Sequence, residues 1–168
     1  IFDIGCGNGI LTCFLALQHP DSIVTGLEIS SNAISVAKEL AERFPVDNVR
    51  FSKRDTLQNG KCDTLFSCRT VHENVAWRAL YTESKMSTLS LEEQIRQHSH
   101  YGEELSTLVK SQGYLVSVER YEDDDAYAGL VRALERSGFC QVKGTHMQFS
   151  CKNGDRMATF QAMIFQKI

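Results

Sequence analysis

The chain has 168 residues, of which 42% are hydrophobic, and this length and composition suit a single packed domain. The net charge of −3 comes from intermixed acids and bases without a run of Lys or Arg, so we expect no nucleic-acid partner. No stretch approaches about 18 apolar residues, which argues against a membrane helix. The six cysteines include no C-x-x-C pair, which argues against a zinc ribbon and favours reduced thiols in the cytoplasm.

The first predicted strand, Ile1 to Ile4, runs into a glycine-rich turn and then a helix from Ile10 to Gln18. Because the chain starts inside a strand and without Met, we expect that residues are missing upstream. The turn reads Asp3-Ile4-Gly5-Cys6-Gly7-Asn8-Gly9. Alternating glycines allow a sharp turn and a close approach of a ligand to the main chain, and the amides that begin the helix face that ligand. The pattern indicates a cofactor-binding turn.

The charge of this turn distinguishes between cofactors. Asp3 would repel a pyrophosphate, but it suits S-adenosylmethionine (SAM), which carries an ammonium and a sulfonium group. A dinucleotide fingerprint also requires glycine at the position occupied by Ile10. The turn therefore favours SAM over a dinucleotide.

The second predicted strand extends from Ser22 to Ile29, and Ser30 or Ser31 can cap the helix that follows. Glu28 lies at the carboxyl end of this strand, where a doubly wound sheet binds its ligand. We expect its carboxylate to accept hydrogen bonds from the ribose hydroxyls, with Ile29 against the adenine. The alternative for Glu28 is a solvated acid at a strand end.

The third and fourth strands are predicted at Asn48 to Lys53 and at Cys62 to Cys68. Between them, Asp55 is placed to accept a hydrogen bond from the adenine amino group, and Thr56 can offer its backbone amide to the ring. Strands that alternate with helices predict a parallel sheet covered on both faces.

These motifs resemble those of the class I SAM-dependent methyltransferases, whose first motif has the form acid-x-Gly-x-Gly-x-Gly. The resemblance covers essentially the whole chain. It implies a Rossmann-like fold, SAM as cofactor, and contact between the methionine part of SAM and the backbone around Ser67 and Cys68. The cofactor-binding residues that it implies in the first motif are Asp3, Gly5, Cys6, Gly7, Asn8 and Gly9.

The segment after the fourth strand is expected at the mouth of the site. His72 is a candidate general base, although a histidine that packs under the next helix fits the pattern equally well. The candidates for the substrate pocket, each of which also fits a surface or rim position, are Arg69, Glu73, Glu119 and Tyr121.

Only two prolines occur, Pro20 and Pro45, and neither lies in this segment. The chain therefore lacks the Pro-Pro-aromatic motif with which related enzymes methylate amino groups of nucleobases and glutamine. It also lacks the Pro-Cys nucleophile of cytosine C5 methylation. Cys68 is accordingly interpreted as a small packing residue.

The remaining predicted elements lie after a polar helical stretch. Within that stretch, Tyr81 to Lys110 has short apolar stripes interrupted by Gly102, and we interpret it as a mobile lid or insertion. The predicted elements are a strand at Gly113 to Glu119, a helix at Asp123 to Ser137, and a terminal hairpin formed by Phe139 to Phe149 and Arg156 to Lys167.

The sequence thus predicts one α/β domain over residues 1–168, with a doubly wound, mostly parallel seven-stranded sheet and a C-terminal antiparallel hairpin. We expect a SAM-dependent methyltransferase that acts on a small molecule. The alternatives are a catalytically silent SAM-binding partner or regulatory module and, less favoured, an NAD(P)-dependent oxidoreductase. His98 and His100 lack partners at metal-binding spacing, so no metal is expected.

Overall fold

The computed structural model describes residues 1–54, 60–70, 89–121, 124–153 and 155–168. The strands are β1 (Phe2–Ile4), β2 (Val24–Glu28), β3 (Val49–Lys53), β4 (Cys62–Cys68), β5 (Val109–Arg120), β6 (Phe139–Gln141), β7 (Met147–Asn153) and β8 (Arg156–Lys167). The helices are α1 (Ile10–Gln18), α2 (Ser31–Ala41), α3 (Leu91–Leu108) and α4 (Asp124–Arg136). None of the helices in these ranges is long and apolar enough to cross a bilayer.

The strands form one eight-stranded sheet in the order β3-β2-β1-β4-β5-β8-β6, with β7 paired to β8. The neighbouring strands from β3 to β5 run parallel, whereas β8 is antiparallel to β5, β6 and β7. The predicted doubly wound, mostly parallel sheet with an antiparallel C-terminal part is therefore confirmed. The sheet has one strand more than predicted, because the segment expected as a single strand at 139–149 is divided into β6 and β7. Gly144, in the left-handed region at φ 77°, lies between them.

The sequence predicted the ends of several helices and strands correctly. The bounds of α1 and β4 match the predicted ones, and the Ser30 hydroxyl caps α2 by accepting from the amide of Ala33. The β5 strand differs from its prediction, because it begins at Val109 rather than at Gly113. Its pairing with β4 shifts register in this first part, and Gln112 has a positive φ of 64°.

Two helix layers cover opposite faces of the sheet. Adjacent strand residues point to opposite faces, and β1 shows this directly. Asp3 bonds to Thr12 of α1, whereas Ile4 packs in the main core with Leu105 of α3 and Leu130 of α4. The α1 and α2 helices contact β2 and β3, and α3 contacts β4 and β5. The turn between β1 and α1 therefore lies at the carboxyl edge of the parallel strands, where α/β sheets bind ligands.

The predicted lid overlaps α3. One face of this helix is buried, including Ile95, Tyr101 and Leu105, and α3 packs closely against α4. Residues 91–108 thus belong to the helix layer rather than to an open surface segment. The earlier part of the predicted lid, 81–88, lies outside the described residues, and its role as a lid stays a prediction.

Candidate cofactor site

The turn between β1 and α1 is held in a conformation that favours glycine. Gly5, Gly7 and Gly9 have φ values of 68°, 53° and 80°. The amides of Gly5 and Cys6 both donate to the carbonyl oxygen of Leu27 in β2, at 2.7 and 3.2 Å. The backbone of the turn is therefore fixed to the neighbouring strand before any ligand binds.

The three glycines have different surroundings. A Cβ atom on Gly5 would overlap the methyl group of Thr70, and one on Gly9 would lie 2.8 Å from Ala37 and from the ring of Phe51. Among the residues that the structure describes, no heavy atom lies within 4 Å of a Cβ atom placed on Gly7. Gly5 and Gly9 thus serve close packing inside the protein, whereas no described residue fills the space beside Gly7.

Glu28 lies at the predicted position and faces this turn. Its Oε2 accepts from the amide of Gly7 at 3.0 Å, and its Oε1 accepts from the amides of Ile29 and Ser30 at 2.8 and 3.0 Å. The side chain of Ile29 is 63% exposed beside it. An acidic acceptor and an exposed apolar side chain therefore stand together at the end of β2, as the ribose and adenine predictions require.

Asp3 lies behind the turn rather than open to solvent. Its side chain is buried, and its Oδ2 accepts from the hydroxyl of Thr12 at 2.6 Å. Burial raises the pKa of this carboxyl to about 6, although the Thr12 hydrogen bond opposes the shift. Whether Asp3 contacts the cofactor directly stays a prediction.

The cysteine in the turn reports on the local charge. Burial raises the pKa of the Cys6 thiol to about 12, and the carboxylates of Asp3 and Glu28 contribute further to the rise. Both carboxylates therefore act on the turn, which favours a positively charged ligand. Two residues after Cys6, Asn8 is exposed, and its Oδ1 accepts from the amide of Ile10 at the start of α1.

The end of β4 carries two of the predicted cofactor contacts. Ser67 is buried, and its hydroxyl donates to Oε1 of Glu119 at 2.7 Å. Cys68 is half-buried, and burial, with the carboxylates of Glu119 and Asp3, raises its thiol pKa to about 11. Both Cys6 and Cys68 thus remain protonated at neutral pH, which argues against a thiolate nucleophile.

The predicted substrate residues are divided between surface and core. Arg69 is exposed and has a left-handed φ of 62°. Glu119 and Tyr121 are buried on the α3 side of the sheet, and the hydroxyl of Tyr121 lies 2.6 Å from Nε2 of His98. Their assignment to the substrate pocket stays a prediction, but neither side chain lies on an open surface.

Four of the predicted site residues lie outside the described residues, namely Asp55, Thr56, His72 and Glu73. Sequence reasoning missed Thr70, which is buried and contacts the turn at Gly5. A single threonine after a strand gives no local signal of such a contact. In the part of the chain that the structure describes, no three His, Cys, Asp or Glu side chains are grouped as a metal site.

The comparison with known families agrees with this geometry. The profile of a family described as a methyltransferase domain matches residues 1–147. The chain belongs to this family. The methyltransferase domain is of the class I SAM-dependent type, as its motifs predicted, and S-adenosylmethionine is its implied cofactor.

Two curated relatives and one solved structure illustrate the similarity. The chain is 40% identical over 53 residues to a tRNA (guanine-N(7)-)-methyltransferase of Chloroherpeton thalassium, which is 32% of this chain and 24% of the relative. It is 36% identical over 73 residues to a malonyl-[acyl-carrier protein] O-methyltransferase of Acetivibrio thermocellus, which is 42% of this chain and 25% of the relative. The aligned stretches thus span about a quarter of each relative.

The solved structure is magnesium protoporphyrin IX methyltransferase from Synechocystis PCC 6803 with bound SAH. It superposes with a TM-score of 0.63 at 17% identity and covers 99% of this methyltransferase domain and 73% of that chain. At this identity the superposition supports the fold alone.

Proposed function

We propose that this methyltransferase domain binds SAM at the turn between β1 and α1 and transfers its methyl group to a small molecule. The observation that carries the proposal is the space beside Gly7, which is bordered by the Glu28 carboxylate and filled by none of the described residues. A cofactor that lies against bare main chain needs such a space. The buried Asp3 adds a second negative charge behind it.

Each part of the site would hold a different part of the cofactor. Glu28 would exchange its bonds to backbone amides for bonds to the ribose hydroxyls, with Ile29 against the adenine. Asp55 and Thr56 are proposed to bind the far edge of the adenine. Asp3 stabilises a positive charge near the turn, and the backbone around Ser67 and Cys68 would meet the methionine part.

When bound, SAM supplies a methyl group on a positively charged sulfur that leaves as a neutral thioether. Such a transfer needs no acid, and holding the acceptor within about 3–3.5 Å of the methyl carbon provides most of the catalysis. A base is useful only for a hydroxyl or similar acceptor, and His72 is the proposed candidate. The raised thiol pKa values of Cys6 and Cys68 argue against a covalent cysteine intermediate.

The proposed acceptor is a small molecule, because the net charge of −3 and the intermixed charges offer no phosphate-binding surface. The residues proposed for the acceptor pocket are Arg69, Glu73, Glu119 and Tyr121. We also propose that the protein is located in the cytoplasm. The second candidate is a SAM-binding module without catalysis, which would share the cofactor site but transfer no methyl group.

Calorimetry with SAM, its demethylated product SAH, and NAD tests the cofactor site. SAM and SAH should bind and NAD should not. Replacing Glu28 by Ala should weaken the binding free energy of SAM by about 1–3 kcal/mol, the range for a charge-assisted hydrogen bond left unmade. Glu39→Ala, at an exposed position on α2, is the matched control. Unchanged affinity of Glu28→Ala would place the ribose elsewhere.

Transfer from SAM with a labelled methyl group distinguishes the enzyme from a silent module. Label should enter a small-molecule fraction rather than RNA. If SAM binds but no fraction of small molecules, RNA or protein accepts label, the silent module is the better conclusion.

A further inference from the structure

A buried threonine supports the cofactor turn from the side opposite β2. The methyl group of Thr70 occupies the space that a side chain on Gly5 would need. Thr70 is only 6% exposed and lies two residues after the end of β4. The turn is thus held by the Leu27 carbonyl on one side and packed by the Thr70 methyl on the other.

The orientation of this methyl group is set by a short chain of hydrogen bonds. The hydroxyls of Thr70 and Ser67 lie 2.6 Å apart, and Ser67 donates to Oε1 of Glu119 at 2.7 Å. Because the Ser67 proton is used on the carboxylate, the Thr70 hydroxyl donates to Ser67. Ser67 and Glu119 are both completely buried, so water does not compete for these bonds.

The backbone strengthens the same connection. The amide of Arg69, between Ser67 and Thr70, donates to the carbonyl oxygen of Val118 at 2.9 Å. Arg69 adopts a left-handed φ of 62°, which turns the chain from the end of β4 toward Gly5. The end of β5 therefore sets the position of Thr70 through both main chain and side chains.

We propose that Ser67 and Glu119 are positioning residues for the cofactor turn and act through the methyl group of Thr70. The proposal rests on the proposed function, because it assigns these core residues to SAM affinity. Gly5, Gly7 and Gly9 in this turn adopt left-handed conformations and carry no side chains of their own, so backbone hydrogen bonds and neighbouring side chains hold the turn in place. Fixing it before binding lowers the ordering cost of the bound state.

A double-mutant cycle tests the connection. Ser67→Ala removes the link to Glu119, and Thr70→Ser keeps the hydroxyl but removes the methyl group. Each variant should bind SAH about fivefold more weakly than the parent in calorimetry, which is the scale of one hydrogen bond or methyl contact. The double variant should be little weaker than either single variant, because the second change removes a link that is already broken. Glu119→Gln should stay close to the parent, since its amide oxygen still accepts from Ser67.

Fully additive losses, or a Ser67→Ala variant that binds SAH like the parent, would overturn the proposal. Amide hydrogen exchange of the ligand-free protein gives a readout that does not depend on SAM. Exchange at Gly5 and Cys6 should be faster in Ser67→Ala and in Thr70→Ser than in the parent or in Ser35→Ala, an exposed control on α2. If the parent binds neither SAM nor SAH, the proposed function fails, and unchanged exchange at these amides would separately reject the positioning role.

Discussion

Asp3 and His98 are buried ionisable side chains on opposite faces of the sheet, and the fold treats them differently. Burial raises the pKa of Asp3 to about 6 and lowers the pKa of His98 to about 4, so it disfavours the charged form of each. At pH 7 His98 is neutral, with Nε2 bonded to Tyr121 and Nδ1 to the carbonyl of Gln94. Asp3 is ionised at the same pH, against the effect of its burial.

The difference distinguishes a structural role, that of His98, from the role in ligand binding that we propose for Asp3. His98 is fully satisfied by neutral groups of the fold. Asp3 keeps a charge that burial disfavours, and a positively charged ligand beside it would stabilise that charge. A group that destabilises the free protein but gains from the ligand is typical of binding sites. The predictions below change one side of this comparison at a time.

The largest effect is expected from Gly7→Val, which breaks the cofactor edge and leaves the core intact. The branched side chain would fill the space beside Gly7 and is strained at φ 53°. We expect SAM affinity to fall by more than about 1,000-fold in calorimetry.

Gly138→Val is the matched control for this strain. Gly138 follows α4 and also has a positive φ, 89°, and no heavy atom of the described residues lies within 4 Å of a Cβ atom placed there. This variant should lose thermal stability while binding SAM normally. Equal loss of SAM binding in both variants would mean that backbone strain, rather than the space beside Gly7, explains the result.

Asp3→Asn should stabilise the free protein and weaken its binding of SAM. The folded-state pKa of Asp3 is raised from 3.8 to about 6, so its contribution to stability is complete below pH 3.8 and is lost as pH rises through 6. Two pKa units correspond to about 3 kcal/mol. In denaturant unfolding at pH 8, the free energy of unfolding of Asp3→Asn should therefore exceed that of the parent by up to about 3 kcal/mol. This difference should vanish near pH 4.

The control for this change is Asp21→Asn, at an exposed position, which should leave stability unchanged at both pH values. SAM should bind Asp3→Asn more weakly than the parent. If Asp3→Asn is more stable than the parent but binds SAM with the same affinity, Asp3 does not contribute to SAM binding.

His98→Gln should act in the opposite direction, and only on stability. Because burial lowers the pKa of His98 from 6.5 to about 4, its contribution is complete above pH 6.5 and is lost as pH falls through 4. We expect a loss of about 2 kcal/mol at pH 7, the scale of disrupted buried hydrogen bonds. The slope of unfolding free energy between pH 4 and 6.5 should also become flatter.

His100→Gln, at an exposed position on the same helix, should leave both the stability and its slope unchanged. If His98→Gln instead lowers SAM affinity as strongly as Asp3→Asn does, the two faces of the sheet are coupled and the comparison fails.

The sequence predicted the structure of the turn between β1 and α1 and of the end of β2 better than that of the core, because its signals there are local. The glycine spacing, the cap at Ser30 and the position of Glu28 at a strand end all depend on a few neighbouring residues. The contact of Thr70 with Gly5 joins residues far apart in the chain. Such a contact follows only from the way β1 and β4 pair.

The lid predicted from the sequence includes α3 for a related physical reason. Its buried face contains polar residues, Gln94 and His98, beside Ile95 and Tyr101. A count of apolar residues treats these positions as exposed and so finds only short stripes. Their side-chain partners, the Leu89 carbonyl for Gln94 and the Tyr121 hydroxyl for His98, lie outside α3 and are invisible to helical periodicity.

The smallest effect is expected from Tyr121→Phe, which distinguishes a core role from the predicted role in the substrate pocket. The Gln94 carbonyl can only accept, so Nδ1 of His98 carries the proton and Nε2 accepts from the Tyr121 hydroxyl. Removing that hydroxyl leaves a buried acceptor unmatched, and the unfolding free energy should fall by about 1 kcal/mol. Tyr114→Phe, at a 42% exposed position on β5, should change it by less than about 0.5 kcal/mol. SAM affinity should be unchanged in both variants. If Tyr121→Phe keeps the parent stability but slows methyl transfer, the hydroxyl serves the acceptor and His98 is held mainly by Gln94.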